Sequence, residues 1–105
     1  MANKPAPVLV IYRLKKGTEA QFKPLLAKHW PTLNKVGLVS PEKPKIWRTV
    51  AREDASKVTY VEYMEWKTAE SAEIAHQTPE VMQVWEPMGE ILENLEIMPA
   101  ESIHL

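Results

Sequence analysis

The run Val58 to Leu95, VTYVEYMEWKTAESAEIAHQTPEVMQVWEPMGEILENL, constrains this chain more than any other stretch. Its first nine residues are rich in β-branched and aromatic side chains, the composition of a strand. Alternation puts Tyr60, Glu62, Met64 and Trp66 on one face and Thr59, Val61, Tyr63 and Glu65 on the other. Thr68 then caps a helix over about Ala69 to Gln77, with His76 near its end. Thr78-Pro79-Glu80 supplies an N-cap, a proline at the first helical position and an acid in the first turn. Val81, Val84, Trp85, Met88, Ile91, Leu92 and Leu95 follow as the apolar stripe of a second helix, weakened in its middle by Pro87 and Gly89. An apolar strand face beside an apolar helix stripe predicts that the two bury each other.

The rest of the chain fits the same logic. Val8 to Leu14 reads as a first strand with both faces largely apolar, which predicts cover on both sides. After Lys15-Lys16-Gly17, Thr18 and Gln21 have capping-box spacing, and Phe22, Leu25, Leu26, His29 and Leu33 recur at helical spacing. Pro24 and Pro31 each remove a helical hydrogen bond, predicting a bend, or a break after about His29, with Gly37 as the stop. Lys45 to Arg52 is a second strand, Glu53 to Ser56 a hairpin turn, and about Glu93 to Pro99 a last strand. The order is β-α-β-β-α-β with the second helix split: an α+β, ferredoxin-like pattern in which helices cover one face of a four-stranded antiparallel sheet.

Composition narrows the function. With 105 residues the chain suits one domain, and a core this small is often completed by a second subunit. The formal charge of −1 gives no basic footprint for nucleic acid or an acidic membrane, and the RNP-type pattern of RNA-binding sheets is missing. No apolar run approaches the ~20 residues that span a bilayer. There is no cysteine, hence no disulfide, thiolate nucleophile or Cys-based metal site, and no secretory leader pattern. A cytoplasmic protein is expected.

Chemistry-bearing side chains are few. His76 is the candidate catalytic base, since imidazole titrates near neutrality. His29 lies on an otherwise apolar helix face; it is either a pocket-wall residue or a buried histidine satisfied by a partner. Tyr60, Trp66 and Trp85, with Tyr12 and Trp47, are candidate walls of an aromatic cleft. Arg48 is a candidate for binding a substrate carboxylate or enolate, although a cross-strand pair with Glu62 is the favoured expectation. A metal site would need His29, His76 and Glu62 to converge, and no local ligand spacing supports it. No metal or cofactor is expected.

YVEYMEWKTAESAEIAHQTPEVMQVW, together with the opening strand, KKGTEAQF and the overall length, resembles the dimeric α/β-barrel superfamily, specifically the antibiotic-biosynthesis-monooxygenase-like domains. The resemblance implies a homodimer with two sheets face to face and a pocket between each sheet and its own helices. It also implies a small aromatic ligand, with cofactor-free oxygenation or oxidative haem degradation as activities of the group. The residues that haem-degrading members use would fall at Val10, Trp85 and near Ile74, and all three depart from that pattern. His76 instead matches the Ala-His position of members resembling quinol oxygenases. The alternative is a non-catalytic dimeric domain with a ligand-binding or stress-related structural role.

Overall fold

The computed structural model describes residues 4–105. Its elements are β1 (Ala6–Leu14), α1 (Glu19–Lys35), β2 (Lys45–Val50), β3 (Val58–Trp66), α2 (Ser71–His76), α3 (Pro79–Glu90) and β4 (Leu92–Pro99). The strands form one antiparallel sheet in the order β2-β3-β1-β4, the ferredoxin-like arrangement expected from the sequence. The two central strands share a burial rhythm in which every second residue is sealed. Val8, Val10, Tyr12 and Leu14 of β1 and Tyr60, Glu62, Met64 and Trp66 of β3 face the helices. Phe22 of α1 lies between Tyr12 and Tyr60, with ring centroids 5.2 and 5.0 Å away.

Helix α1 runs unbroken through Pro24 and Pro31, against the expected break near His29. Both prolines are solvent-exposed, as are Ala20 and Ala27, the residues whose carbonyls they leave without a helical partner. Water can therefore serve those carbonyls while the buried stripe Phe22, Leu26, His29 and Leu33 continues. The helix ends at Gly37 as expected. Gly37 has φ +76°, its N–H donates to Asn34 O, and Leu38 N–H donates to Leu33 O, the paired bonds of a Schellman motif.

The capping box at Thr18 does not form. The Thr18 hydroxyl donates to Lys15 O and Ile91 O instead, fastening the start of α1 to the end of α3. The helix over Ala69 to Gln77 is shorter than expected, because Thr68 to Glu70 form a turn in which Thr68 N–H donates to the Ser71 hydroxyl. Pro79 starts α3 as expected, and Leu95 belongs to β4 rather than to the helix stripe.

The face of the sheet away from the helices carries Trp47, Val61 and Ile11 in one row and Tyr63, Leu9 and Met98 in the next. Trp47 is 54% and Met98 38% exposed, while Leu9, Ile11 and Val61 are half-buried. The expected cover on this second face is not supplied by this chain's described residues.

Candidate functional site

A cavity of about 270 Å³ lies between the sheet and the helices. Val8, Val10, Tyr12, Met64 and Trp66 form its floor, and His29, Ala72, His76, Trp85 and Met88 close it from the helical side. Leu95 and Ile97 of β4 extend the floor beyond the helices and remain 45% and 56% exposed, so the cavity opens at that edge. The walls are mostly apolar, and the polar groups are few, the usual make-up of a small-molecule site.

The local sequence explains these positions. Trp85 is on the stripe of α3 and meets Trp66 edge-on at 6.4 Å. His76, the last residue of α2, packs edge-on against Trp85 at 4.9 Å. It is solvent-exposed and makes no side-chain hydrogen bond among the described residues, so it stands at the rim. His29 occupies the centre of the buried stripe of α1, above the sheet, with its ring 6.1 Å from Trp85.

Beneath His29 sits a buried polar cluster. Glu62 is completely buried. Its Oε1 accepts a 2.6 Å hydrogen bond from the Tyr12 hydroxyl, and His29 Nδ1 lies 3.1 Å from Oε1 and 3.4 Å from Oε2. Burial, then the Glu62 charge and hydrogen bond, raise Tyr12 well above the ordinary phenol range, so its hydroxyl remains a donor. The expected Arg48–Glu62 pair is not formed. Ile46, not Arg48, is the residue opposite Glu62, and Arg48 lies opposite Tyr60.

Arg48 instead forms a bidentate pair with Glu19 at the start of α1, and the Tyr60 hydroxyl donates to the same carboxylate. Glu19 and Arg48 line a second hollow, about 410 Å³, together with Lys15, Lys16, Gly17 and Ser56. Of the candidate site residues, then, Tyr12, His29, Trp66, His76 and Trp85 share the apolar cavity, while Tyr60 and Arg48 do not reach it and Trp47 lies on the opposite face of the sheet. Among the lining residues that the sequence did not single out for a site are Met64 and Met88. Their only advance signal was apolar periodicity, which core residues share. Among the described residues, no three His, Asp or Glu side chains are grouped so as to hold a metal ion. No helix there is long and apolar enough to cross a membrane.

The Glu19 cluster makes a prediction. Hydrogen bonds from Arg48 and then Tyr60 lower Glu19 from its ordinary 4.5 to about 2. A carboxyl lowered by folding adds stability that is complete above its unfolded value and disappears as pH falls through its folded value. The difference in urea midpoint between the wild type and Glu19→Gln is therefore expected to be full above pH 4.5 and to vanish near pH 2. A pH-independent difference would show that the carboxylate charge is not what Arg48 and Tyr60 recognise.

No sequence-family model matches this chain, and no curated protein sequence matches it. The solved structures do match. A protein described as an antibiotic biosynthesis monooxygenase superposes with TM-score 0.71 at 12% identity, over 94% of this chain and 99% of its own. An Arabidopsis thaliana protein gives TM-score 0.71 at 10% identity, covering 96% and 98%. A mutant of SnoaB, a cofactor-independent oxygenase from Streptomyces nogalater, gives 0.68 at 10% identity, covering 96% and 95%. The chain has the fold of the antibiotic-biosynthesis-monooxygenase-type domains, along essentially its whole length. At these identities the likeness defines architecture, and function must be argued from the site.

Proposed function

We propose that this protein binds a phenolic or quinol-type aromatic compound in the cavity between sheet and helices and oxygenates it without a cofactor. The observation that carries this reading is the apolar cavity itself, walled by Trp66 and Trp85 and reached by the imidazoles of His29 and His76. A flat aromatic ring suits such walls, and a histidine suits removal of its hydroxyl proton. The resulting phenolate is electron-rich and can react with dioxygen between the mostly apolar walls. For a monophenol the overall change is phenol plus O₂ to quinone plus water. A ring carbon–oxygen bond forms, the O–O bond breaks, the ring supplies all the electrons and dioxygen is the oxidant. The similarity to a cofactor-independent oxygenase supports the same chemistry.

The test is oxygen uptake with a panel of naphthols and hydroquinones, with no metal or flavin added. Quinone formation above the uncatalysed rate is expected, and it should be abolished by Ala72→Trp, which puts an indole into the cavity lining. Saturable binding without oxygen uptake would instead identify a ligand-binding domain.

A homodimer belongs to this proposal. The open rows Trp47–Val61–Ile11 and Tyr63–Leu9–Met98 make an apolar surface that a second copy would cover sheet to sheet. Trp47→Glu is expected to convert the dimer to monomer in sedimentation equilibrium while leaving the far-UV spectrum unchanged. A wild type that is monomeric at high concentration would remove this part of the proposal.

A further inference from the structure

The cluster of Tyr12, Glu62 and His29 does more than fill the core. A buried carboxylate is costly unless donors or an opposite charge meet it. Glu62 has two donors. The Tyr12 proton goes to Glu62 at 2.6 Å rather than to His29 Nδ1 at 3.5 Å, so Nδ1 must carry its own hydrogen to face the carboxylate favourably. In a neutral imidazole that leaves Nε2 as a bare acceptor. Nε2 has no partner among the described residues, and it is not sealed: the only fully buried side-chain nitrogen or oxygen without a partner there is Trp30 Nε1. His29 lines the cavity, and Nε2 is its ring nitrogen not turned to Glu62.

We propose that His29, oriented by Glu62 and Tyr12, is the base that removes the hydroxyl proton of a phenol bound in the cavity. This rests on the phenolic reading above and names the group that performs it. In the step, the ligand O–H bond breaks and an Nε2–H bond forms. The imidazolium then faces the Glu62 carboxylate, so the lone negative charge of the cluster becomes a neutral pair as the phenolate appears. The arrangement is a carboxylate–imidazole pair like that of the hydrolytic triads, where the buried acid fixes the tautomer and stabilises the protonated ring. Tyr12 and Glu62 are positioning residues; His29 is the group that takes the proton from the ligand hydroxyl. His76 has no carboxylate holding it and contacts the ligand from the rim.

The probe is 4-nitrophenol, whose ionised form is yellow, added to the full-length protein in buffer acidic enough to keep the free phenol protonated. Binding is read independently by quenching of tryptophan fluorescence. The wild type is expected to bind it as the yellow phenolate. His29→Gln should still bind, with the ionised fraction reduced about tenfold or more, the size of a one-unit change in proton affinity. Glu62→Gln, which nearly keeps the shape of the side chain, should reduce it in the same direction, and His104→Gln, exposed and outside the cavity lining, should leave it intact. Ionisation that survives His29→Gln, or is lost in His76→Gln alone, overturns this assignment and leaves the binding proposal standing. Absence of binding by the wild type overturns both.

Discussion

Phe22→Ala is expected to lower the unfolding free energy by about 3–5 kcal/mol, the range for deleting a fully buried aromatic ring. Phe22 is completely sealed, and its ring joins α1 to both central strands through Tyr12 and Tyr60. The loss combines the transfer energy of the ring with the cavity that alanine leaves, since neighbours anchored on a sheet collapse only partly. A domain of this size has about 5–15 kcal/mol in total, so the variant would be marginal at room temperature. Each kcal/mol moves the melting temperature of a domain this size by about 4–8 °C, which makes the effect easy to read in a thermal scan. Urea titration at matched protein concentration gives the free energy itself, because association of copies would add to apparent stability. A loss below about 1 kcal/mol would mean that the ring is not in the packed core.

Glu62→Ala is the second large effect, about 3 kcal/mol. Removing one partner of a buried polar cluster strands the others. The Tyr12 hydroxyl and His29 Nδ1 would both face the void left by the carboxylate. Glu62→Gln keeps an acceptor at nearly the same place and should cost roughly half as much. A double-mutant cycle with Tyr12→Phe isolates the coupling: the two changes remove the same 2.6 Å bond, so their costs should fall short of additive by about 0.5–3 kcal/mol. Strict additivity would show that the hydroxyl and carboxylate do not interact in solution.

Much of the architecture was legible in the chain. The strand β3 was read with its observed bounds, Val58 to Trp66, because its alternation of β-branched and aromatic residues has no helical counterpart. Pro79 marked the start of α3 and Gly37 the end of α1, each through a backbone property that acts locally. The errors have an equally local origin. The break expected at Pro31 did not occur because what decides it is whether the freed carbonyl faces water, and that depends on how the helix is rolled onto the sheet. The capping box at Thr18 failed because a distant carbonyl, Ile91 O, shares its hydroxyl with Lys15 O.

The site divides in the same way. His29 on the stripe Phe22–Leu26–His29–Leu33 and Glu62 between Tyr60 and Met64 were both visible as polar residues at apolar positions. His29 announced that a buried partner was needed, while Glu62 was expected to pair with Arg48 across the strands. The identity of the partner was not visible: Glu62 is 33 residues from His29 and 50 from Tyr12. Alternation grouped Arg48 with a strand face but did not give its register, and a two-residue difference in register pairs it with Tyr60 and Glu19 rather than with Glu62.

The sequence by itself determined the order of elements, the two strand faces and the positions at which burial would demand a polar partner. Those follow from periodicity and capping, which act over a few residues. Only the tertiary structure decided which strand face meets the helices, that His29 and Glu62 join while Arg48 and Tyr60 turn to Glu19, and that a cavity remains between Trp66 and Trp85. Contacts between residues far apart depend on strand register and helix placement, quantities fixed by packing of the whole core at once.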